Sequence, residues 1–338
     1  MTEPAEPARY ADVAACYAAL FPDADRLYVS PDIASSAANN PYLRNLYAGL
    51  TGARAPISVD GYWPFAPVRG RRRGERSIWH HHWLQCSSLP TLLRATLRLM
   101  AARRYARRGG HVLWTVHNLE PHVPRLRWAN RWLTRSMAQL AERLLVHSPA
   151  AAAELSRAWS VPAARIAIVP HPAYVTTRVD RAEARARLRE HYGITLGETR
   201  VFLVFGLIAR YKQVPETMQL FDGLDAARVR LLVAGAVRGS ELDHRAELQA
   251  ALGRGPVALC DRFIPDEHVP WFFGAADVVL FNYRQILTSG AIELARNYEK
   301  PVWIPDLPAL ADIVGPDVRR FGDLRELREA VAKDDAAS

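Results

Sequence analysis

The stretch FGLIARYK, residues 205–212, reads as the end of a buried strand running into Gly206, with two cations, Arg210 and Lys212, close behind. Residues 201–205 form a short apolar run of strand length, and a glycine at its end lets the backbone come close to a ligand. Two cations just past that point can hold a diphosphate. Glycine and basic residues also end ordinary strands, so the reading depends on what surrounds it.

Outward from this stretch, short apolar runs alternate with longer segments of helical spacing, the pattern of an α/β chain. Toward the C-terminus, helices are expected at 215–222, 240–252, 266–274 and 289–298, with strands at 228–234, 257–260, 277–281 and 301–304 and helices to finish. Toward the N-terminus a helix at 181–192 follows PHPAY, residues 170–174, whose two prolines mark a linker and a boundary near residue 175. Before it, strands are expected at 26–30, 56–59, 77–81, 111–116, 143–147 and 165–169, and helices at 41–50, 89–108, 124–141 and 149–159. A chain of 338 residues is long enough for two such domains. The expectation is α/β throughout: two doubly wound parallel sheets, residues 1–174 and 175–338, with the carboxyl ends of their strands facing a shared cleft. The last helix is free to pack back on the first domain.

Charge separates the halves. Residues 1–175 hold 22 Arg and no Lys against 11 Asp plus Glu, a net +11 beside +9 for the whole chain, so the second half is weakly acidic. The arginines peak in RGRRRGER, residues 69–76, and among the leucines of 89–108. Such a run is either a solvated helix face or a surface for an anionic partner, such as a membrane or a lipid diphosphate. Three scattered cysteines with no metal-ligand spacing, an N-terminus unlike a secretory signal, and the lack of a long apolar run point to a cytoplasmic protein that touches membranes only peripherally.

A second constellation is FNYRQILTSGAIELARNYEKPV, residues 281–302: strand, loop, then a helix opening at Thr288, Ser289 and Gly290. Free amides at such a helix start, here those of Ser289, Gly290 and Ala291, attract an anion, and Ser289 or Thr288 is a natural cap. Glu293, one turn inside, is placed to accept from the two hydroxyls of a ribose. It is equally an ordinary first-turn carboxylate favoured by the helix dipole.

Together FGLIARYK, AADVVLFNYR (275–284), TSGAIELA with Glu293, and KPVWIPD (300–306) resemble the donor site of the family-4-like retaining glycosyltransferases of GT-B fold and their relatives in bacterial exopolysaccharide and glycolipid assembly. The resemblance implies that Gly206, Arg210 and Lys212 with the helix start hold the diphosphate of a nucleotide sugar, and that Glu293 holds its ribose. Gln285 stands eight residues before Glu293, where that family carries an acid, and is expected beside the donor sugar. The first half resembles the same relatives through WHHHWLQ (79–85), LWTVHNLEPH (113–122) and LLVHSPAAAAEL (144–155), in which His80, His81, His82, His117, His122 and His147 gather at strand ends.

The activity implied is transfer of a hexosyl group from a nucleoside-diphosphate sugar to a hydroxyl of a saccharide, glycolipid or small-molecule acceptor, without a cofactor or metal, since helix dipoles and cations can stabilise the leaving diphosphate. His117, His122 and Asp60 are the catalytic candidates; a retaining enzyme needs no dedicated base, an inverting one does. Asn39, Asn40, Tyr42, His81 and His82 are expected to read the acceptor. Two rivals remain at this level: a sugar-nucleotide epimerase of the same fold, and an arginine-rich nucleic-acid-binding protein. The lack of lysine in the basic half and of any nucleic-acid motif speaks against the second, and no nucleic-acid partner is expected.

Overall fold

A computed structural model describes residues 6–34, 41–52, 55–58, 65–69, 76–120, 126–238, 244–253 and 255–337. Of the expected site residues, Asn39, Asn40, Asp60 and His122 lie outside these, as does most of the arginine run at 69–76. The chain forms two compact units, Met1–Pro172 with Pro308–Asp312, and Ala173–Leu307 with Ile313–Ser338.

The first unit is built on seven strands: β1 (Ala8–Arg9), β2 (Arg26–Ser30), β3 (Pro56–Ser58), β4 (Ser77–His81), β5 (His111–Thr115), β6 (Arg143–Val146) and β7 (Ile166–Ile168). They pair in the order β1-β7-β6-β5-β4-β2-β3, all parallel. Strand order reverses between β2 and β4. One face is sealed by the helices Val13–Leu20 and Tyr42–Tyr47, which bring Tyr17, Leu43 and Leu46 onto Leu27, Val29, Ile78 and Leu113. The helices Leu89–Arg107, Arg127–Leu140 and Pro149–Trp159 link β4 to β5, β5 to β6 and β6 to β7. These three links step the same way across the sheet, so right-handed crossovers set all three helices on its other face. Local sequence starts two of them: Ser88 and Thr91 form a reciprocal cap, and Ser148 caps a helix whose first turn holds Pro149.

The second unit holds β8 (Arg200–Phe205), β9 (Val229–Ala234), β10 (Val257–Cys260), β11 (Val278–Leu280), β12 (Val302–Pro305) and β13 (Val318–Phe321). Their order is β10-β9-β8-β11-β12-β13, again all parallel. That is the six-strand arrangement of dinucleotide-binding folds, in which ligands sit where the order reverses, here between β8 and β11. The inner strands read as unbroken apolar runs because helices cover both faces. Phe202, fully buried against Phe221 and Trp303, contributes about 2–3 kcal/mol by burial alone. The terminal helix, Leu324–Ala337, places Leu327, Ala330 and Val331 in this same core; the segment grouped with the first unit is instead Pro308–Asp312, which opens on the single turn Pro308–Leu310.

Candidate functional site

In the second unit the reversal point brings together the ends of β8 and β11. Gly206 follows β8 with φ of 93°, a conformation open to glycine and strained for other residues. The approach there is close: a Cβ on the neighbouring Gly235 would stand 2.1 Å from the Gly206 carbonyl oxygen. The chain then turns through a 3-10 segment, Arg210–Lys212, which folds Lys212 back so that its Nζ lies 3.4 Å from the Phe205 carbonyl and 6.0 Å from the centre of the Tyr283 ring. Lys212 is only 7% exposed. Burial first, and the neighbouring Arg238 second, push its ammonium down to about 8.

From the other side, Tyr283 follows β11 and its hydroxyl meets Ser289 Oγ at 3.0 Å. Ser289 caps the helix Gly290–Asn297, accepting from the Ile292 amide at 3.3 Å. The amides of Gly290 and Ala291 precede any intrahelical partner and carry the positive end of the helix dipole. Glu293 lies one turn in, half-buried, its carboxyl raised by burial and only partly offset by Arg296 at 3.7 Å. Tyr174 is close enough to feel the Glu293 charge. Asn282, buried, locks this arrangement by donating to Thr217 Oγ1 at 3.1 Å and accepting from Gln213 Nε2 at 3.2 Å.

A buried ammonium beside a capped helix start, with a carboxylate one turn further on, can bind a ligand that is anionic at one end and hydroxylated at the other. Arg210 occupies a different place: its guanidinium makes two hydrogen bonds to Glu247, at 2.8 and 3.1 Å, and Glu247 also holds His244 Nδ1 at 2.7 Å. Gln285 is exposed on the loop before the cap.

In the first unit the histidines fall on two faces of β4 and its extension. His80 and His82 share one face, their rings 4.4 Å apart, and the Tyr47 hydroxyl bridges His80 Nδ1 (2.8 Å) and His82 Nε2 (2.6 Å). His82 Nδ1 reaches His117 Nε2 at 3.3 Å, and His117 lies flat on Trp83. His147 donates from Nδ1 to the Val169 carbonyl at 2.9 Å, which leaves Nε2 to accept from the Tyr42 hydroxyl at 2.8 Å. Tyr42, 2% exposed, packs its ring on His82, His117, His147 and His171. Burial drives these imidazoles down, His80 and His147 to about 3, His171 to about 4, and His82 and His117 well below the ordinary range. All are neutral at pH 7. His81 stands apart on the opposite face, its ring tilted against Trp79 with centroids 4.4 Å apart, and both its ring nitrogens lack a hydrogen-bond partner.

The structure thus gathers Gly206, Lys212, Ser289, Gly290, Ala291 and Glu293 in one place, and Tyr42, His82 and His117 in another. It turns His81 away from the latter and ties Arg210 to Glu247. Sequence reading did not single out Tyr47, Trp83, His171, Gln213 or Tyr283. His171 was hidden in the linker PHPAY, and Tyr283 gave a signal only as part of the FNYR strand end. Among the described residues no three His, Cys, Asp or Glu side chains are grouped to hold a metal ion, and no helix is long and apolar enough to cross a membrane.

Residues 27–174 match the sequence pattern of Glycosyltransferase Family 4. The GDP-mannose:glycolipid 4-beta-D-mannosyltransferase of Xanthomonas campestris pv. campestris is 25% identical over 296 residues, covering 83% of this chain and 75% of that protein. Among solved structures, HepE of Anabaena in complex with UDP superposes with a TM-score of 0.63 at 13% identity, over 91% of this chain and 89% of that one. Sucrose-phosphate synthase of Thermosynechococcus elongatus gives 0.66 at 16% identity, over 91% and 88%. At such identities the superpositions speak for the fold.

Proposed function

We propose that this chain, a GT-B glycosyltransferase related to bacterial glycosyltransferases, moves a hexosyl group from a nucleoside-diphosphate sugar bound by its second unit to a hydroxyl of a lipid-linked saccharide met by its first. The observation that carries the donor half is the convergence of Lys212, the Ser289-capped helix start and Glu293 at the reversal point between β8 and β11. In the reaction the bond from the anomeric carbon to the diphosphate oxygen breaks and a bond to the acceptor oxygen forms. Negative charge builds on the leaving diphosphate, where Lys212 and the amides of Gly290 and Ala291 answer it without a metal. Glu293 fixes the ribose, which holds the anomeric carbon in place.

For the acceptor, the support is the mannosyltransferase relative, whose name specifies a glycolipid, together with the basic first unit. The family-4-like pattern favours retention; in that reading the acceptor proton leaves with the diphosphate and His117 acts as a hydrogen-bonding group. The β linkage in the relative's name favours a second reading. A β product from an α-linked donor requires inversion, and the neutral imidazole of His117, held by His82 and Trp83, is then the proton acceptor. Nuclear magnetic resonance of the anomeric proton in the first-formed product distinguishes the two. A melting-temperature screen with GDP, UDP, ADP and TDP tests the donor half, because a ligand that binds the folded state raises its stability by mass action. Stabilisation by none of them, with no acceptor-dependent nucleotide release, refutes the proposal; release of nucleotide without transfer, or interconversion of the donor sugar, points to the epimerase instead.

A further inference from the structure

The helix Arg127–Leu140 carries a surface that the donor chemistry does not use. Trp128 and Trp132, one turn apart, are 65% and 42% exposed, an unusual state for the largest apolar side chains. Arg127, Arg131 and Arg135 follow at the same spacing along the outer side and are exposed. The helix is held rigidly from beneath. Asn130 makes a two-way bond with the backbone of Cys86, 2.8 Å in each direction, and Arg165 grips the carbonyls of Ala138 and Ala141 at 2.7 and 2.5 Å.

Beside the tryptophans, toward the end of the helix Pro149–Trp159, lies a cavity of about 460 Å³ lined in part by Arg131, Thr134, Arg135, Trp159 and Ser160. Neither Arg131 nor Arg135 makes an ion pair among the described residues. The acidic group on the cavity wall, Glu120, faces Arg127 at 3.7 Å. The neighbouring helix Leu89–Arg107 continues the same pattern, with Leu89, Leu93 and Met100 exposed and Arg94, Arg104 and Arg107 among them. Tryptophans with one polar edge settle at the boundary between headgroups and acyl chains, and arginines at that depth meet lipid phosphates.

We infer that the helix Arg127–Leu140 seats the first unit on an anionic phospholipid bilayer, with Trp128 and Trp132 entering the interface and Arg131 and Arg135 taking lipid phosphates at the mouth of the cavity. Charge complementarity selects this occupant: apolar rings alone would suit a protein partner, but unpaired arginines one turn apart beside them fit a sheet of phosphates. The inference deepens the reading of a lipid-linked acceptor, and its physics does not depend on the donor site.

The test is co-sedimentation of the full chain with phosphatidylcholine vesicles and with vesicles carrying added phosphatidylglycerol. Binding should rise with the anionic lipid and weaken with salt. Each arginine contributes roughly fivefold to affinity, so Arg131→Gln with Arg135→Gln should lower it about thirtyfold. Trp128→Ala with Trp132→Ala should lower binding and abolish the part of the tryptophan blue shift that vesicles induce. Both double variants change exposed side chains; an unaltered far-ultraviolet circular dichroism spectrum and melting temperature without ligand show the first unit folded, and unaltered nucleotide-induced stabilisation leaves the donor reading standing whatever the vesicles report. Equal binding to neutral and anionic vesicles, or arginine variants that bind like the parent, would overturn the assignment. Displacement from vesicles by millimolar inorganic phosphate would assign the cavity to a free anion instead.

Discussion

Lys212 lies directly under Gly206: a Cβ added to the glycine would stand 3.4 Å from the lysine Nζ. The strand end and the ammonium therefore form one cradle, whose floor is the Phe205 carbonyl and whose far wall is the Tyr283 ring. Gly206→Ala strains a φ of 93° and places a methyl in contact with the lysine ammonium, and the strain costs on the order of 1–2 kcal/mol in stability. The same change should weaken nucleoside-diphosphate binding; calorimetry and thermal melts read the two effects separately.

The cradle also sets a pH dependence. Burial holds the Lys212 ammonium down at about 8, whereas the same group in the unfolded chain titrates near 10.4. Below about 8 the ammonium is formed and meets a diphosphate; above it the free protein has lost the proton and must take one up to bind. Affinity for the preferred nucleoside diphosphate should therefore fall as pH rises through 8, with net proton uptake visible in calorimetry across buffers of different ionisation heat. Lys212→Ala should depress turnover as well as affinity, because a contact to the leaving group strengthens as charge develops, and should remove the proton uptake. A flat affinity from pH 7 to 9.5 would show that Lys212 does not touch the ligand.

Glu293 should act on binding more than on chemistry. A charge-assisted hydrogen bond of its kind is worth about 1.5–3 kcal/mol, so Glu293→Ala should weaken nucleotide affinity roughly tenfold to a hundredfold. Its carboxyl is raised by burial, so parent affinity should also drop on acidification as the carboxylate is neutralised, and the variant should lack that drop. A competition experiment against the base-matched 2′,3′-dideoxynucleotide locates the contact: if Glu293 holds the ribose, variant and parent bind the dideoxy ligand alike.

What could be read in advance depended on how local the information was. β2, β4 and β10 carry their own apolar runs between turns and lie where the sequence puts them, and Ser289 and Glu293 follow from helix-start chemistry alone. The edge strands β1 and β13 were missed, because two residues have no periodicity and VRRF alternates poorly, with Arg319 open to solvent and Arg320 half-buried at a sheet edge. Arg210 looked equivalent to Lys212 until folding supplied Glu247, 37 residues further on, as its partner. The union of Tyr42 with His147 spans 105 residues, and nothing in PYLRNLY, residues 41–47, specifies it. The place of Tyr42 after the first strand suggests an acceptor contact; its hydroxyl bonds the His147 imidazole, and the side chain is only 2% exposed.

That bond supports a direct test. Tyr42→Phe keeps the ring that packs on four histidines and removes the donor to His147 Nε2, leaving a buried acceptor unsatisfied, which costs about 1–3 kcal/mol. The expected result is a lower melting temperature with nucleotide affinity unchanged. If Tyr42 orders the histidines that meet the acceptor, KM for the acceptor rises more than KM for the donor, and equal shifts in both would confine its role to stability.

The histidine cluster should also make the first unit fail in acid before the second. A free imidazole takes up its proton near pH 6.5, whereas burial holds His80 and His147 down at about 3 and His171 at about 4. Between these values the unfolded chain binds protons that the folded chain refuses, so the stability these groups lend is complete above 6.5 and drains away as pH falls toward 3. Each contributes about 1.4 kcal/mol per pH unit once well below 6.5, and three of them remove roughly 6 kcal/mol by pH 5. A domain has only about 5–15 kcal/mol to lose. Denaturant titrations followed by near-ultraviolet circular dichroism should show a steep loss of stability between pH 6.5 and 5. Nucleotide-induced stabilisation at the lower pH should persist longer than the acceptor-dependent step. Replacing His147 with Gln removes one of the six titrations that burial suppresses, those of His80, His81, His82, His117, His147 and His171, so the slope against pH should become shallower even though stability at pH 7 also drops. A parent protein equally stable at pH 7 and pH 5 would mean that these imidazoles are not held neutral by burial, and the packed cluster around Tyr42 would have to be more open to water than its geometry indicates.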